Sequence, residues 1–277
     1  MKPFDDGRAA NDEFQSTLGG THRGELIRDL LRQRVRMPEP VPNYLKRPAL
    51  TEKLTATITP GSVLLLEAPS GYGKTHALSA AFRETSRSPD TLRWLALTGQ
   101  ENDAGRLLAL LEIALTPPGA TSRPSGQQKA SSNTDALALL LSDAHWSDSD
   151  RDSVLVIDNV GTVANPAAIA LLQQLVENIP SGLALVMVSR KPLPFETHTF
   201  ELEGRFNRIG ADSLELTRLE TFEFFHAAID RNQLTTVAVE HLFSLTEGWI
   251  TPLGLYQREL DSAPESRLPI QETFSVE

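Results

Sequence analysis

The 277-residue chain contains no cysteine, which excludes disulfide scaffolds, thiolate zinc sites and cysteine nucleophiles together. Long hydrophobic runs are also missing. The longest apolar stretches, such as Ala136–Leu141 and Leu183–Val188, are about six residues, and roughly 18 are needed to span a bilayer. The opening MKPFDDGRAANDEF has no apolar h-region, so it does not read as a secretory signal. Basic residues are in deficit: 26 Lys and Arg against 36 Asp and Glu leave a net charge of −10 and a pI near 5.2. That balance argues against nucleic acid as a partner of the general surface. What is present is an ordinary globular composition, 40% hydrophobic and 22% charged, too apolar for wholesale disorder. The length allows a sizeable core and about one or two domains. The expectation is an acidic, soluble, cytoplasmic protein with no membrane partner.

Residues 1–42 read as a flexible arm with one amphipathic helix. Within it, ELIRDLLRQRVR (25–36) spaces Leu26, Ile27, Leu30, Leu31 and Val35 as a helix does. Glu25 and Asp29 interrupt its basic face, which favours a helix docked on its own domain over one seeking a membrane or a partner. MPEPVP (37–42) is a stiff connector. Residues 43–217 alternate between two periods. Strand-like runs occur at 63–67, 92–97, 154–158 and 183–189, with a weaker one at 213–217. Helical patterns fall at 74–86, 102–115, 134–144 and 166–178. The nearly continuous apolar runs imply strands buried on both faces, hence an α/β domain with a mostly parallel sheet flanked by helices. The Pro/Gly/Ser-rich stretch 116–134 reads as a mobile insertion. Residues 218–260 form a small all-helical subdomain, and 261–277 an acidic tail or linker.

The segment VLLLEAPSGYGKTHALSAAF (63–82) places a buried strand before A-P-S-G-Y-G-K-T and a helix after it. This is the context a Walker A phosphate loop requires. Gly71 and Gly73 permit backbone angles that let successive N–H groups curl around a phosphate, and the following helix adds its N-terminal dipole. Lys74 supplies a point charge for the β- and γ-phosphates, and the Thr75 hydroxyl is placed to ligate Mg²⁺. Ala68 stands where the motif has its first glycine, a position that needs smallness. Ala68, Ser70, Gly71, Tyr72, Gly73, Lys74 and Thr75 are the candidate nucleotide-binding residues of the loop. In SVLVIDNVG (153–161) a buried strand ends in Asp158, the Walker B pattern that holds Mg²⁺. In LALVMVSRKPLP (183–194) the strand ends at Ser189–Arg190. Arg190 reads equally as a γ-phosphate sensor or an ordinary loop arginine.

Taken in order, these phrases resemble the nucleotide-binding module of the MalT-like, LuxR-type ATP-dependent transcription regulators, in the STAND class of signalling P-loop NTPases. KRPALTEKL (46–54) is similar to the family's arginine-containing lead-in, which marks Arg47 as a nucleotide-binding candidate. LLLEAPSGYGKT, LRWLALTGQENDAGRLLALLEIAL (92–115), VLVIDNV, the Arg190 strand and RFNRIGADSLELTRLETFEFF (205–225) follow in the family's order. LFSLTEGWITPLGL (242–255) resembles its Thr-Glu-Gly-Trp phrase. The resemblance covers about residues 43–260. It implies a P-loop NTPase fold, AAA-like in its chemistry, ATP, ADP and Mg²⁺ as cofactors, and a switch between an ADP-held resting form and an ATP form. In the ATP form it implies self-association or a protein partner. Lys74, Asp158 and Arg190 would contact the γ-phosphate and its metal, and 218–260 would be the moving lid.

Two positions depart from the family. Asn159 stands where a second acidic residue usually follows the Walker B aspartate, and Ile250 stands where proline often follows Gly-Trp. An amide cannot take a proton from attacking water, so a site with Asp158, Asn159 and Arg190 in the catalytic positions is expected to be at most a weak ATPase. The other reading of Asn159 is a residue that orients Asp158. No recognition helix is read in the sequence, so direct DNA binding by this chain is not expected. Two alternatives remain: an efficient stand-alone P-loop ATPase using Glu67 or Asp148 as base, and a degenerate module serving as a protein-interaction scaffold.

Overall fold

The aliphatic runs of the sequence become neighbours in one sheet. The computed structural model describes residues 35–39, 44–85, 91–115, 132–142 and 153–262. Among these residues five parallel strands are ordered β2-β3-β4-β1-β5: β1 Val63–Glu67, β2 Leu92–Ala96, β3 Ser153–Asp158, β4 Leu183–Ser189 and β5 Phe206–Ile209. Pairing of Glu67 with Ser189 and of Ala96 with Asp158 brings the carboxyl ends of four strands to a common edge. Ligands of open α/β sheets bind at such an edge.

Alternation along each strand feeds two separate cores. Leu65, Leu155, Ile157, Leu185 and Met187 pack against α3 (Ala104–Leu115), α4 (Asn133–Leu141) and α5 (Pro166–Glu177). Leu64, Leu66, Val154, Val156, Val186 and Val188 pack against α1 (Pro48–Thr57) and α2 (Lys74–Glu84). Both sets are removed from water, which is why β1, β3 and β4 read as unbroken apolar runs. A third core lies in the helices α7 (Arg218–Phe224), α8 (His226–Asp230), α9 (Thr236–Thr246) and α10 (Ile250–Ser262). It is built on Leu216, Phe225, Ala228, Leu234, Val239 and Leu253. A capping box in which Thr217 and Glu220 satisfy each other's backbone N–H groups starts this helical region.

The fifth strand is not where the sequence pattern puts it. Residues 213–217 alternate Leu214 and Leu216 as a strand would, yet they form no strand. Leu214 belongs to the sheet's core and Leu216 to the helical core, so the alternation marks a crossing between two cores. Among the described residues the true edge strand β5 pairs only with β1. It needs only Phe206 and Ile209 inward, with Arg208 exposed, and so lacks a continuous apolar run. Helix α1 and the short α6 (His198–Leu202) were not evident from periodicity. Ser132–Thr134, assigned to the insertion, cap and begin α4. The amphipathic segment 25–36, apart from Val35 and Arg36, lies outside the described residues, as do 116–131, Asp148 and 263–277.

Candidate functional site

Between β1 and α2 the chain turns through Ala68–Gly73. Gly71 (φ +84°) and Gly73 (φ +74°) both take the left-handed backbone that side chains disfavour. Ala68 is buried, and its N–H donates to the Ser189 carbonyl, tethering the start of the loop to the end of β4. Ser70 is exposed. Gly73 is the N-cap of α2 and has no side chain to satisfy the first-turn N–H groups, which leaves those donors and the helix dipole for an anion. The Lys74 ammonium donates to the carbonyls of Ala68 and Pro69, each at 2.6 Å. Burial pushes its pKa below the ordinary 10.5, the Arg190 guanidinium adds to the shift, and Asp158 opposes it.

Asp158, 5% exposed at the end of β3, has both oxygens engaged. Oδ2 accepts from the Thr75 hydroxyl at 2.7 Å and Oδ1 from the Asn159 backbone N–H at 2.8 Å. Asn159 is left-handed (φ +62°), a conformation asparagine tolerates better than most residues. Its side-chain Oδ1 stands 3.5 Å from Arg190 Nη2, the outer limit of a hydrogen bond. Asn159 thus orients Asp158 through its main chain and turns its amide toward Arg190. The structure brings Lys74, Thr75, Asp158, Asn159 and Arg190 together at the carboxyl edge of the sheet.

Arg47 is placed elsewhere. Its guanidinium donates to Glu220 Oε1 (2.8 Å) and Oε2 (3.2 Å), and to the carbonyls of Leu214 (2.7 Å) and Glu215 (2.6 Å). These bonds engage it at the crossing between the two cores. Burial alone would raise the Glu220 carboxyl. The hydrogen bond and charge of Arg47, with hydrogen bonds from Thr217, hold it below its ordinary 4.5 instead. Glu67 has a partner too, its Oε2 lying 2.6 Å from Arg208 Nη1.

One set of contacts had no local signal. Trp249 Nε1 (3.1 Å) and Thr251 Oγ1 (2.7 Å), from the helical region, both donate to the Gly71 carbonyl. The Tyr72 and Trp249 rings stack with centroids 6.0 Å apart and planes 24° apart. Gly248 (φ +83°) allows this approach, because a Cβ there would collide with the Leu216 carbonyl. Thr246–Trp249 stood out in the sequence only as a family phrase.

The donor set fits a nucleotide polyphosphate with Mg²⁺. Glycines in the left-handed region, a helix start with free N–H groups and an inserted lysine suit phosphate. One hydroxyl and one carboxylate suit a cation that keeps its waters and takes its other ligands from phosphates. Among the described residues no three His, Cys, Asp or Glu side chains cluster as a metal cage. No helix among them is long and apolar enough to cross a membrane.

Known proteins resemble this chain in sequence and in fold. Over 230 residues, 78% of the chain, the sequence is 25% identical to the HTH-type transcriptional regulator MalT of Cronobacter sakazakii. Over the same share it is 24% identical to that of Klebsiella pneumoniae. The chain spans about a quarter of the length of these curated relatives. No protein-family model matches. Among solved structures, the Walker-type ATPase of Pyrococcus abyssi superposes with a TM-score of 0.51 at 14% identity, covering 84% of this chain and 72% of that one. The Orc1 protein of Aeropyrum pernix, solved in complex with DNA, gives 0.50 at 16%, covering 87% and 65%. The fold is that of P-loop NTPases, and the sequence is similar to that of MalT regulators.

Proposed function

We propose, from a P-loop NTPase fold carrying a MalT-like sequence, that this chain is an ATP/ADP-binding signalling switch module of a MalT-like (LuxR-type) transcriptional regulator, with slow hydrolysis. The observation that carries the reading is the chain of contacts from Thr75 to Asp158 and through Asn159 to Arg190, beside a glycine loop that opens a helix at Lys74. In this reading the loop N–H groups and Lys74 hold the phosphates, Thr75 and Asp158 hold Mg²⁺, and Arg190 meets the γ-phosphate. Mg²⁺ when bound would neutralise phosphate charge. Asn159, an amide beside Arg190, supplies no base for water, which supports slow turnover.

A switch also needs two arrangements that the nucleotide tells apart. The helical region, with its own core and its contact to Gly71, supports the role of moving lid. Self-association or a protein partner in the ATP state completes the reading. The net charge of −10 supports assigning no DNA contact to this chain. Nucleotide release and chromatography on the purified protein, followed by single-turnover assay, tests it. The expected result is bound or bindable ADP and ATP, lost in Lys74→Ala, with slow hydrolysis. A wild-type protein that binds neither nucleotide would overturn the reading.

A further inference from the structure

Two side chains of the helical region direct their hydrogen bonds to one backbone group of the phosphate loop. Trp249 and Thr251 spend their hydrogen-bond donors on the same acceptor, the Gly71 carbonyl. Trp249 is 39% exposed and Thr251 is also exposed, so neither lies there for lack of another place. A Cβ on Gly71 would stand 2.5 Å from the Thr251 hydroxyl oxygen, so the approach depends on glycine. The Tyr72 ring, on the next residue, stacks on the indole and keeps its N–H aimed at the loop.

The carbonyl of Gly71 and the N–H of Tyr72 belong to one planar trans peptide, so they point in opposite directions. A glycine flanking that peptide leaves it little intrinsic preference for one orientation. We propose that Trp249 and Thr251 are positioning residues for the nucleotide's phosphates: by holding the Gly71 carbonyl toward the helical region, they turn the Tyr72 N–H into the phosphate cradle. The inference rests on the nucleotide-binding reading above and extends it to how lid and loop communicate. Withdrawing the lid frees the peptide to rotate and removes a donor from the cradle. Coupling of this kind is reciprocal: lid docking strengthens phosphate binding, and bound phosphate strengthens lid docking by the same factor.

The test compares two pairs of substitutions by calorimetry with Mg²⁺ and ADP. Trp249→Phe with Thr251→Val keeps the ring stack and the side-chain shape but removes both donors. Trp249→Phe with Thr251→Ser returns one hydroxyl at the cost of shape. The first pair should bind ADP about tenfold more weakly than wild type, the scale of one or two net hydrogen bonds, and the second should recover most of that loss. A contact that mattered only for packing would rank them the other way, since valine matches threonine in shape. Thr251→Val alone, at an exposed site, should show a several-fold loss and serves if the double variant does not fold. ADP binding by the Thr251→Val variants as tight as wild type, or tighter, would overturn the positioning role and leave the nucleotide reading standing. Absence of ADP binding by wild type would overturn both.

Discussion

The Thr75 hydroxyl and the Asp158 carboxylate are joined by a 2.7 Å hydrogen bond across 83 residues of sequence. It links the first turn of α2 to the end of β3 and leaves two hard oxygens side by side at the phosphate loop. Nothing in the sheet's hydrophobic packing requires this pair, since both residues lie beyond the apolar faces of their elements.

If the pair holds Mg²⁺, Asp158→Asn and Thr75→Val should each erase most of the metal dependence of ATP binding. Affinity measured with Mg²⁺ and again with a chelator should differ clearly for wild type and converge in the variants. A variant that keeps the wild-type ratio would remove these residues from the metal site.

Asn159 gives a gain-of-function test. Aspartate, like asparagine, tolerates the left-handed backbone observed there, so Asn159→Asp should fold. A carboxylate at that position can serve as a base, an effect typically worth about 10²–10⁴ in rate. Single-turnover hydrolysis should rise while ATP affinity stays within a few-fold. Unchanged or slower turnover would leave Asn159 as the residue that orients Asp158 and faces Arg190, and nothing more.

Lys74 gives a pH test. Its pKa in the free protein is held below 10.5 by burial and by Arg190. Phosphate placed beside it favours the charged form and raises that pKa, so binding takes up a proton between the two values. ADP affinity should therefore fall as pH rises through the alkaline range below 10.5. Calorimetry in two buffers of different ionisation enthalpy should show proton uptake there, and buffer-independent heats would count against Lys74 as the phosphate's cation.

Arg47 and Glu220 give a stability test. Arg47→Ala leaves a half-buried carboxylate and two carbonyls without their donor, and should cost about 2–3 kcal/mol in urea unfolding, the scale of lost hydrogen bonds to a charged group. Because the folded carboxyl of Glu220 lies below its ordinary 4.5, its contribution is present above that value and is lost as pH falls through the folded pKa. Glu220→Gln should flatten this part of the acid limb. An unaltered acid profile would show that the pair does not contribute.

Much of the site was legible because its signals are local. The strand, glycine loop and helix of 63–84 are contiguous, and the spacing of Gly71, Gly73, Lys74 and Thr75 already encodes a phosphate cradle. Asp158 and Arg190 were legible for a related reason. Runs such as Val154–Ile157 and Leu183–Val188 can be buried on both faces only in the middle of a parallel sheet, so the residues at their carboxyl ends fall on the ligand-binding edge.

The misread elements share the opposite property. An edge strand with a single partner needs few apolar residues, so β5 carried almost no pattern, while Leu214 and Leu216 imitated a strand because each answers to a different core. The bonds that Arg47 makes to Glu220 and to the carbonyls of Leu214 and Glu215 likewise appear only when the chain returns at 214–220.

By itself, then, the sequence determined the kind of sheet and the glycine loop between its first strand and the helix that follows, because periodicity and backbone permissiveness act over a few neighbouring residues. Tertiary structure alone decided that Glu67 is paired with Arg208, that Arg47 is paired with Glu220, and that Trp249 and Thr251 close on Gly71. Each of these depends on which donor arrives within about 3 Å of which acceptor, after the chain has travelled 141, 173, and 178 to 180 residues away and back.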